Sequence, residues 1–430
     1  MIVNAPGKRM VVEKTLHQQD AFVCSMGYIS ASRPVLAETL VLSGKRTGEV
    51  IRRVSEDNGR TWAEAGNARY EEKRGDRVAL RFFPVHLTDP DNGILIEFVT
   101  EYEQKVGYSF GPEVPDYLVE LWLNFPPHLT ARILYRFSKD DGRSWGSWKQ
   151  LIQSGAAYDA AHWADGIYYG KNAAYLDEML RAVKLKDGAI IVPISLSARL
   201  DENGRWLKLP DRFGDVLWPV GAVACFRGEW RANRGDYEWQ MSNLVTLPEY
   251  MSRDLSEPAV AEVTDGKLMM IIRGGACAWQ SFPGVKFFAI SKDGGHTWGP
   301  AVPLTYPDGS FVHSPGSLPN LFRSSKNGKV YLIANVLPGP CRQCDPRYPL
   351  VIAEVDSKYY WVLPETVTVI ENRQEGQPDL VRFSNWQRIE DQETGNPVIY
   401  MTATRADAFV PGTEGVILPH SHRYEIMLPQ

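Results

Sequence analysis

Long apolar runs are absent from this 430-residue sequence, and none approaches the ~18 to 20 consecutive apolar residues that a membrane-spanning helix needs. Cysteine is also scarce, since five residues, an odd number, argue against a disulfide framework. The basic residues at the start precede no apolar segment, so we find no secretory signal and expect a cytoplasmic protein, unless a leader has been removed. A net charge of -5 gives no general attraction to nucleic acid or to an anionic membrane.

Glycine, proline and tryptophan are plentiful instead, with 36, 29 and 13 residues, which is typical of many short strands joined by tight turns. An eight-residue pattern, Ser-x-Asp-x-Gly-x-(Thr/Ser)-Trp, occurs at residues 55–62, 138–145 and 291–298. Each copy follows a strand-like apolar run, and its Asp and Gly suit a tight hairpin. The Trp is expected to return to a buried position on the next strand. This order predicts an array of antiparallel sheets.

The repeated pattern is the Asp box of the sialidase superfamily, and the chain resembles that group of proteins. The resemblance implies an all-β fold, a six-bladed β-propeller, with seven blades as the alternative. In that superfamily the boxes lie at outer hairpins of the blades, on the side away from the binding cleft. We therefore expect the boxes to stabilise hairpins and not to contact a ligand.

The spacing of the boxes predicts how the blades divide the chain. The second and third boxes lie much farther apart than the first and second, which places a degenerate turn near residues 228–239. A weaker echo of the box occurs at residues 357–361. The N-terminal strand, residues 10–16, would complete the last blade and close the ring, which removes exposed sheet edges.

The sequence shows no linker, low-complexity tract or shift in composition, so we expect residues 1–430 to form one propeller domain. The main departure from β patterning is a long insertion near residues 153–182, on the cleft side. Within it, residues 172–181 have the pattern of a short helix. Long loops on such a scaffold usually shape the binding cleft.

The segment from Glu257 to Arg273 holds candidate catalytic and binding residues, and it has the pattern strand, Asp-Gly hairpin, strand. This places Glu257 and Arg273 at the same end of two paired strands. The segment resembles the sialidase stretch in which a Glu assists the nucleophile and an Arg of a substrate-clamping triad ends the return strand. By that resemblance Glu257 is a catalytic residue and Arg273 binds a sugar carboxylate, which a planar guanidinium can grip with two parallel hydrogen bonds.

Two further arginines are candidates for the same triad. Arg347 precedes a strand after a Pro-rich loop, as the third arginine of the family does. Arg33 lies in a Ser-Arg-Pro sequence that is the nearest match to the Arg-Ile-Pro signature of the first arginine. His313 directly precedes a Ser- and Gly-containing segment that resembles a cleft strand, and we count it as a substrate-binding candidate.

The resemblance weakens at the positions that sialidase catalysis needs most. Those enzymes use a Tyr nucleophile in a Tyr-Ser pattern on the last cleft strand, and residues 383–386 here read Phe-Ser-Asn-Trp. They also use an Asp acid ahead of the first Asp box, and no Asp occurs between Arg33 and Ser55. By this alignment the chain is not a conventional sialidase.

The insertion offers another source of proton transfer, because Tyr158 and His162 lie there with Asp159 and Asp165. His and Tyr are suited to acid–base work near neutral pH. In residue types this segment resembles propeller-fold polysaccharide lyases, in which His and Tyr move the protons while Arg neutralises a uronate.

Metal ligands are suggested only weakly. Cys341 and Cys344 have the Cys-x-x-Cys spacing of half a zinc site, and Cys277 could add a third thiolate. The second pair typical of zinc ribbons is missing, so we expect free thiols, no metal and no cofactor. His420 and His422 would share one face of a strand near the C-terminus.

Together these observations predict an exo-acting glycoside hydrolase-like enzyme that acts on the end of an acidic, carboxylate-bearing oligosaccharide or polysaccharide. One alternative is a polysaccharide lyase on uronic acid glycans that uses His162 and Tyr158. The other is a non-catalytic glycan-binding propeller, which the missing Tyr and Asp favour.

Overall fold

The structure, a computed structural model, describes residues 10–81, 83–105, 129–176, 181–210, 217–248, 255–264, 266–274, 282–341, 344–405 and 420–429. Within these ranges the chain is almost entirely β-structure, and its helices are two 3₁₀ segments, η1 (Gly44–Arg46) and η2 (Pro364–Thr366). None of the helices in these ranges is long and apolar enough to cross a membrane.

Six antiparallel sheets follow one another along the chain, and each is one blade of a propeller. The N-terminal strand is β1 (Val11–Gln19). The first blade contains β2 (Ala21–Tyr28), β3 (Leu36–Leu42), β4 (Val50–Ser55) and β5 (Ala63–Asn67). The second blade is widened by β6 (Tyr70–Arg74) and β7 (Arg77–Arg81) and contains β8 (Val85–Asp89), β9 (Ile94–Lys105), β10 (Leu129–Ser138) and β11 (Lys149–Gln150).

The third blade follows a crossover that holds the small hairpin β12 (His162–Ala164) and β13 (Ile167–Tyr168). Its inner strand is made of two short pieces, β14 (Ala174–Tyr175) and β15 (Val183–Lys184). The rest of this blade consists of β16 (Ile190–Leu196), β19 (Ala222–Arg231) and β20 (Asp236–Met241), with β17 (Lys208–Pro210) and β18 (Leu217–Pro219) pairing in the connection.

The fourth blade contains β21 (Leu255–Thr264), β22 (Lys267–Gly274), β23 (Lys286–Ser291) and β24 (Val302–Pro303). The fifth blade contains β25 (Asn320–Arg323), β26 (Val330–Asn335), β27 (Leu350–Val355) and β28 (Thr368–Glu371). The sixth blade contains β30 (Gln387–Glu390), β31 (Pro397–Thr402), β33 (His420–Met427) and β1, and the pair β29 (Val381–Arg382) and β32 (Thr404–Arg405) lies beside it. The prediction of an all-β, six-bladed propeller is confirmed.

The ring closes because the first and last parts of the chain share the sixth blade. β1 pairs antiparallel with β33, from Val11 opposite Met427 to Gln19 opposite His420. The inner strand β2 of the first blade also contacts β30 of the sixth. The predicted completion of the last blade by the N-terminal strand is therefore confirmed, and it covers a sheet edge that would otherwise be open.

Packing between the blades explains the apolar strands. Every residue of β16, β26 and β31 is buried, because each blade stacks on neighbours at both faces. Such strands lack the alternating pattern of a half-exposed sheet, since neither face meets water. Most of their apolar side chains belong to the main core, which extends across the blades, and the others belong to two smaller clusters.

The direction of the strands divides the ring into two faces. First-to-second and third-to-fourth strand hairpins lie on one face, which we call the Asp-box face because it carries residues 55–62, 138–145 and 291–298. Second-to-third connections and the crossovers between blades lie on the other, which we call the crossover face. The degenerate turn predicted near residues 228–239 is found between β19 and β20, at the equivalent position in the third blade.

The three Asp boxes fold alike. In the first, Asp57 accepts hydrogen bonds from the Thr61 amide (2.8 Å) and hydroxyl (2.6 Å), and the Gly59 amide donates to Ser55 Oγ (2.8 Å). Equivalent bonds occur in the second and third boxes. The Trp side chains lie in the turn, ahead of the outer strand and not on it as expected, and of the three only Trp298 is fully buried.

The predicted helix at residues 172–181 is wrong over its described part. Residues 173–175 are extended, with Ala174 opposite Leu196 and Tyr175 opposite Ser195 in the third blade. Residues 177–180 lie outside the described ranges. Pairing with β16 therefore overrides the local helical pattern.

Candidate functional site

The start of β21 and the end of β22 bring Glu257 and Arg273 together on the crossover face. Ser256 pairs with Arg273, and Arg273 pairs in turn with Lys286 at the start of β23. The register of β21 shifts between Ser256 and Ala259, so Glu257 lies in a bulge. Bulges often re-aim a side chain beside a functional site.

Glu257 adopts a backbone conformation that side-chain-bearing residues seldom take, with φ of 49°. Its amide donates to Ser195 Oγ of the third blade (2.9 Å), which holds the bulge in place. Arg273 Nη1 donates to Glu257 Oε1, and the two side chains are 22% and 15% exposed. Glu257 Oε2 is buried and has no partner among the described residues. The carboxylate is thus bonded at one oxygen, and its other oxygen could still accept a hydrogen bond.

Arg347 is buried and connects three segments of the crossover face. Its Nε donates to the Cys344 carbonyl (3.0 Å), Nη1 to Ser384 Oγ (3.2 Å) and Nη2 to the Gly316 carbonyl (3.3 Å). A guanidinium has five N–H donors, so these bonds leave two. Burial lowers the pKa of Arg347, and repulsion from Arg273 and Arg382 acts in the same direction.

Lys286 lies opposite Arg273 on the neighbouring strand and is completely buried. Its ammonium donates to the carbonyl oxygens of Pro315 (2.7 Å) and Ser317 (2.6 Å). Burial, followed by repulsion from Arg273, lowers the pKa of Lys286 to about 7. No carboxylate of the described ranges bonds this side chain, so its protonated form adds positive potential beside the site.

Arg382 and Asp345 complete the charged cluster. Arg382 grips Asp345 at both carboxylate oxygens, with Nε to Oδ1 at 2.7 Å and Nη2 to Oδ2 at 2.5 Å. The cluster therefore combines four basic side chains with two carboxylates, and its members are Arg273, Lys286, Arg347, Arg382, Glu257 and Asp345. The excess positive charge suits a negatively charged ligand.

The structure thus brings together Glu257, Arg273 and Arg347 of the predicted site. Sequence reasoning missed Lys286 and Arg382. The signal that could have found Lys286 is a charged residue opening an otherwise apolar run, directly opposite Arg273 in the predicted hairpin sheet. For Arg382 the signal is its place just before residues 383–386.

His313 lies on the same face but outside this cluster. It pairs with Val285, and its carbonyl accepts from the Leu337 amide (2.8 Å). Its Nδ1 is buried without a partner within the described ranges, and burial lowers the pKa of the ring. A neutral imidazole there could accept a proton or a hydrogen bond.

Tyr158 and His162 come together in a separate group within the crossover to the third blade. The His162 ring stacks on Tyr168 at 4.2 Å and lies 5.2 Å from the Tyr158 ring. Tyr158 donates to Asp165 Oδ1 (2.5 Å), and this hydrogen bond raises the pKa of Tyr158. No bond among the described residues joins this group to Glu257 or Arg273.

Arg33 does not reach the crossover face. It lies in the hairpin between β2 and β3, on the Asp-box face, where it pairs with Glu56 (2.9 Å) and Asp141 (3.3 Å) of two boxes. The expectation that Arg33 enters the cleft is therefore corrected: its hairpin joins a first strand to a second, and such hairpins lie on the opposite face.

Cys341 Sγ lies 3.9 Å from the Gly284 carbonyl oxygen, and Cys344 Sγ lies 3.8 Å from Arg273 Nη2. Cys277 lies outside the described residues. Within the described ranges no group of three or more His, Cys, Asp or Glu is arranged to hold a metal ion. The two cysteines therefore border the charged cluster.

A family model for the BNR repeat-like domain matches residues 49–385. The chain belongs to this family. The match includes all three Asp boxes and every member of the charged cluster. No curated protein matches the chain in sequence.

Solved structures show what this BNR repeat-like chain resembles. A protein of unknown function from Dyadobacter fermentans is 16% identical with a TM-score of 0.57, over 99% of this chain and 100% of that one. The NanB sialidase from Streptococcus pneumoniae is 12% identical with a TM-score of 0.57, over 96% and 69%. An α-L-arabinofuranosidase from Fusarium graminearum is 11% identical with a TM-score of 0.53, over 96% and 98%. At such identities the likeness establishes the propeller fold.

Residues 383–386 do reach the site of this BNR repeat-like protein. The Phe383 carbonyl accepts from Asn335 Nδ2 (3.0 Å), and Ser384 Oγ accepts from Arg347. Phe383 is buried and presents no oxygen that could attack a substrate. The segment therefore supplies one hydroxyl, and that hydroxyl is engaged by an arginine.

Proposed function

We propose that this protein is an exo-acting, glycoside hydrolase-like enzyme that acts on the end of an acidic glycan. The observation that carries the proposal is Glu257, whose backbone is held at positive φ by neighbouring elements while its carboxylate lies against Arg273. Residues with a strained backbone cluster at functional sites, where the surrounding structure holds them in that conformation. The fold shared with sialidases and an arabinofuranosidase supports a glycan as the ligand.

The charges of the site suit a sugar that carries a carboxylate. Arg273 and Arg347 would hold this group, because a guanidinium can donate parallel, charge-assisted hydrogen bonds to it. Arg273 would share its donors between Glu257 and the ligand, and Arg347 would use its two remaining N–H groups. Lys286 and Arg382 would add positive potential without contacting the sugar.

Glu257 would then act on the bond beside the bound sugar. Its free oxygen can serve as acid or base, protonating the leaving oxygen or removing a proton from an attacking group. Phe383 has no hydroxyl, so a Tyr-linked intermediate is not available at that position. We therefore expect chemistry that differs from a conventional sialidase.

A panel of acidic oligosaccharides tests this proposal through the release of a monosaccharide. Glu257→Gln keeps the size of the side chain and should lower kcat by about 10²-fold or more, because proton transfer is lost. Arg273→Lys keeps the charge but loses the planar fork, and should mainly raise KM. Glu354→Gln is the matched control, since Glu354 is 18% exposed and pairs with Lys329 away from the site. Full activity in Glu257→Gln would contradict the assignment.

The lyase alternative depends on the group around His162. His162 Nε2 is buried without a described partner, so the ring could accept a proton. The raised pKa of Tyr158 keeps its hydroxyl protonated near neutral pH, so it could act as a proton donor, although as a weaker acid than an ordinary tyrosine. A lyase would generate an unsaturated uronate, detected by ultraviolet absorbance, and this product should disappear in His162→Ala.

Binding of a glycan without formation of any product would indicate the third candidate function, a non-catalytic glycan-binding propeller. In that case Arg273→Lys should still weaken binding, whereas Glu257→Gln should not. The same panel therefore separates the three functions.

A further inference from the structure

A cavity of about 580 Å³ lies inside the ring and opens toward the Asp-box face. It is lined by the inner strands of the third to sixth blades and adjoining residues, at positions 181–184, 186, 259–262, 320–325, 328 and 388. Glu257 lies at the opposite end of β21, and Arg273 lies next to it at the end of the neighbouring strand β22. We call this space the central cavity, and its volume is within the range of small-molecule sites.

Basic side chains dominate the charged part of the lining of the central cavity. Five of them line it against a single carboxylate, and they are Arg181, Lys184, Lys186, Arg323 and Arg388. The carboxylate, Glu262, accepts from the amides of Lys186 (3.3 Å) and Gly266 (3.4 Å). Lys184 is neutralised by Asp89 (2.7 Å) and Asp91 (3.2 Å). The uncompensated charge therefore belongs mainly to the arginines.

None of the three arginines is paired with a carboxylate within the described ranges. Arg181 Nη2 donates to the Met26 carbonyl, and Arg181 Nε is buried without a partner in the described structure. Arg388 Nε donates to Asn320 Oδ1 (2.8 Å), and its guanidinium lies 4.3 Å from the centre of the Phe322 ring. Arg323 Nε donates to the Gly328 carbonyl (3.0 Å), and Arg323 Nη1 is buried and unpartnered.

This arrangement is costly for a protein that uses it only as structure. Burial lowers the pKa of Arg181 to about 9, with repulsion from Arg388 as the next cause, and burial lowers the pKa of Arg388 to about 10. Buried charges are normally paired or bound to a counter-charge. Guanidinium groups from three separate blades instead share one open space.

We infer that the central cavity binds a small molecule through its oxyanion, a phosphate or carboxylate group held by Arg181, Arg388 and Arg323. Guanidinium forks match the geometry of both groups. The cavity is larger than a phosphate ion, so the ligand would be a phosphorylated or carboxylated metabolite that enters from the Asp-box face. This site is separate from the proposed active site and does not depend on its function.

Thermal unfolding of the full chain tests the inference with three probes: inorganic phosphate, acetate, and sodium chloride at matched ionic strength. Phosphate or acetate should raise the unfolding midpoint above that in chloride, because a ligand that binds only the folded state stabilises it. Arg388→Met should weaken the affinity of the effective anion at least about tenfold. Without added anion this variant should melt at the wild-type temperature or higher, because a repelling charge is removed.

Arg143→Met is the matched control, because Arg143 is exposed on the second Asp box, on the same face but outside the cavity. Its response to anions should equal that of the wild type. Arg388→Lys retains the charge and should respond weakly, which gives a readout if the Met variant folds poorly. Glu257→Gln should respond fully, so failure of the proposed function leaves this test intact. The inference is overturned if neither anion acts beyond chloride, or if Arg388→Met responds like the wild type.

Discussion

In the candidate site, the backbone of Glu257 is strained at one dihedral angle, φ. With φ of 49°, a residue with a Cβ pays about 1 kcal/mol or more relative to Gly. Glu257→Gly and Glu257→Ala both remove the ion pair with Arg273, so the difference between them isolates the backbone. We expect Glu257→Gly to be more stable than Glu257→Ala by about 1 kcal/mol, measured by denaturant unfolding.

The neighbouring Ser256, in the extended part of β21, provides the control for that comparison. There Gly should be less stable than Ala by about 0.5 to 1 kcal/mol, because it loses more backbone entropy on folding. If Gly and Ala differ in the same direction at both positions, the strain at Glu257 is not real.

Lys286 gives the site a distinct pH dependence. Its pKa falls from 10.5 to about 7 on folding, so between these values the unfolded chain binds more protons than the folded one. The free energy of unfolding contributed by this group therefore rises with pH across that window, by up to about 1.4 kcal/mol per pH unit. Below about pH 7 the contribution is constant, because both states are protonated.

Lys286→Met removes this titration and keeps an unbranched side chain. The free energy of unfolding of each protein is measured from pH 7 to 10, and the value for the variant is subtracted from that for the wild type. The contributions of the other titratable groups cancel in this difference. We expect the difference to increase with pH. Parallel profiles would mean that Lys286 keeps its ordinary pKa in the folded protein.

Individual residues also show where a sequence misleads. Arg33 matches a short signature, but its hairpin joins the first and second strands of a blade and therefore lies on the Asp-box face. Glu257 and Arg273 were placed correctly because one local hairpin fixes their relation. Lys286 and Arg382 depend on strand register and on contacts between blades, which no local motif records.

At the scale of elements, the Asp boxes are equivalent in hydrogen bonding but differ in packing. Gly142 and Gly295 occupy the same position in two boxes, with φ of 77° and 96°. A Cβ at Gly142 would meet its nearest side-chain atoms at 3.4 and 3.5 Å, whereas at Gly295 it would lie 2.7 Å from Ile191 Cδ1 and 3.1 Å from Leu268 Cδ1.

Ala should therefore be tolerated unequally at these two positions. Gly142→Ala should lose about 1 to 2 kcal/mol for the left-handed backbone, and Gly295→Ala should lose about 1 to 3 kcal/mol more through overpacking. Urea unfolding of both variants measures the two losses, with Gly142→Ala as the matched control. Equal losses would show that the third box packs as loosely as the second.

Elements also explain why the predicted helix at residues 172–181 failed. The local composition favoured a helix, but Ala174 and Tyr175 pair with the edge of β16 and complete the blade. In contrast, the turn between β19 and β20 was predicted without an intact box, because the blade spacing required a hairpin there. Regular repetition therefore predicted the elements better than local propensity did.

At the scale of the whole molecule, three boxes and the strand spacing were enough to predict a closed ring, since each blade is one local unit that repeats. The central cavity could not be predicted in the same way. The central cavity depends on Arg181, Arg323 and Arg388, which come from three blades and have no shared motif. Closure of the blades into a ring brings together residues that lie far apart in the sequence.

Closure of the ring makes β1 the strand on which the sixth blade depends. Along β33, Tyr424 and Ile426 are buried, and the backbone edge is covered by residues 11–19. Lys14 and Tyr424 also both bond Glu371 of the fifth blade, so β1 secures two blades together.

Deletion of residues 2–19 should lower the thermal midpoint and cause association that increases with protein concentration, because an open edge strand pairs with other chains. Sedimentation velocity over a range of concentrations measures that association. Deletion of residues 2–9 leaves β1 intact and should remain monomeric if the full chain is. A ring that stays equally stable and dispersed without β1 would mean that the inner strands alone hold the propeller closed, and that the sixth blade contributes its core rather than its edge.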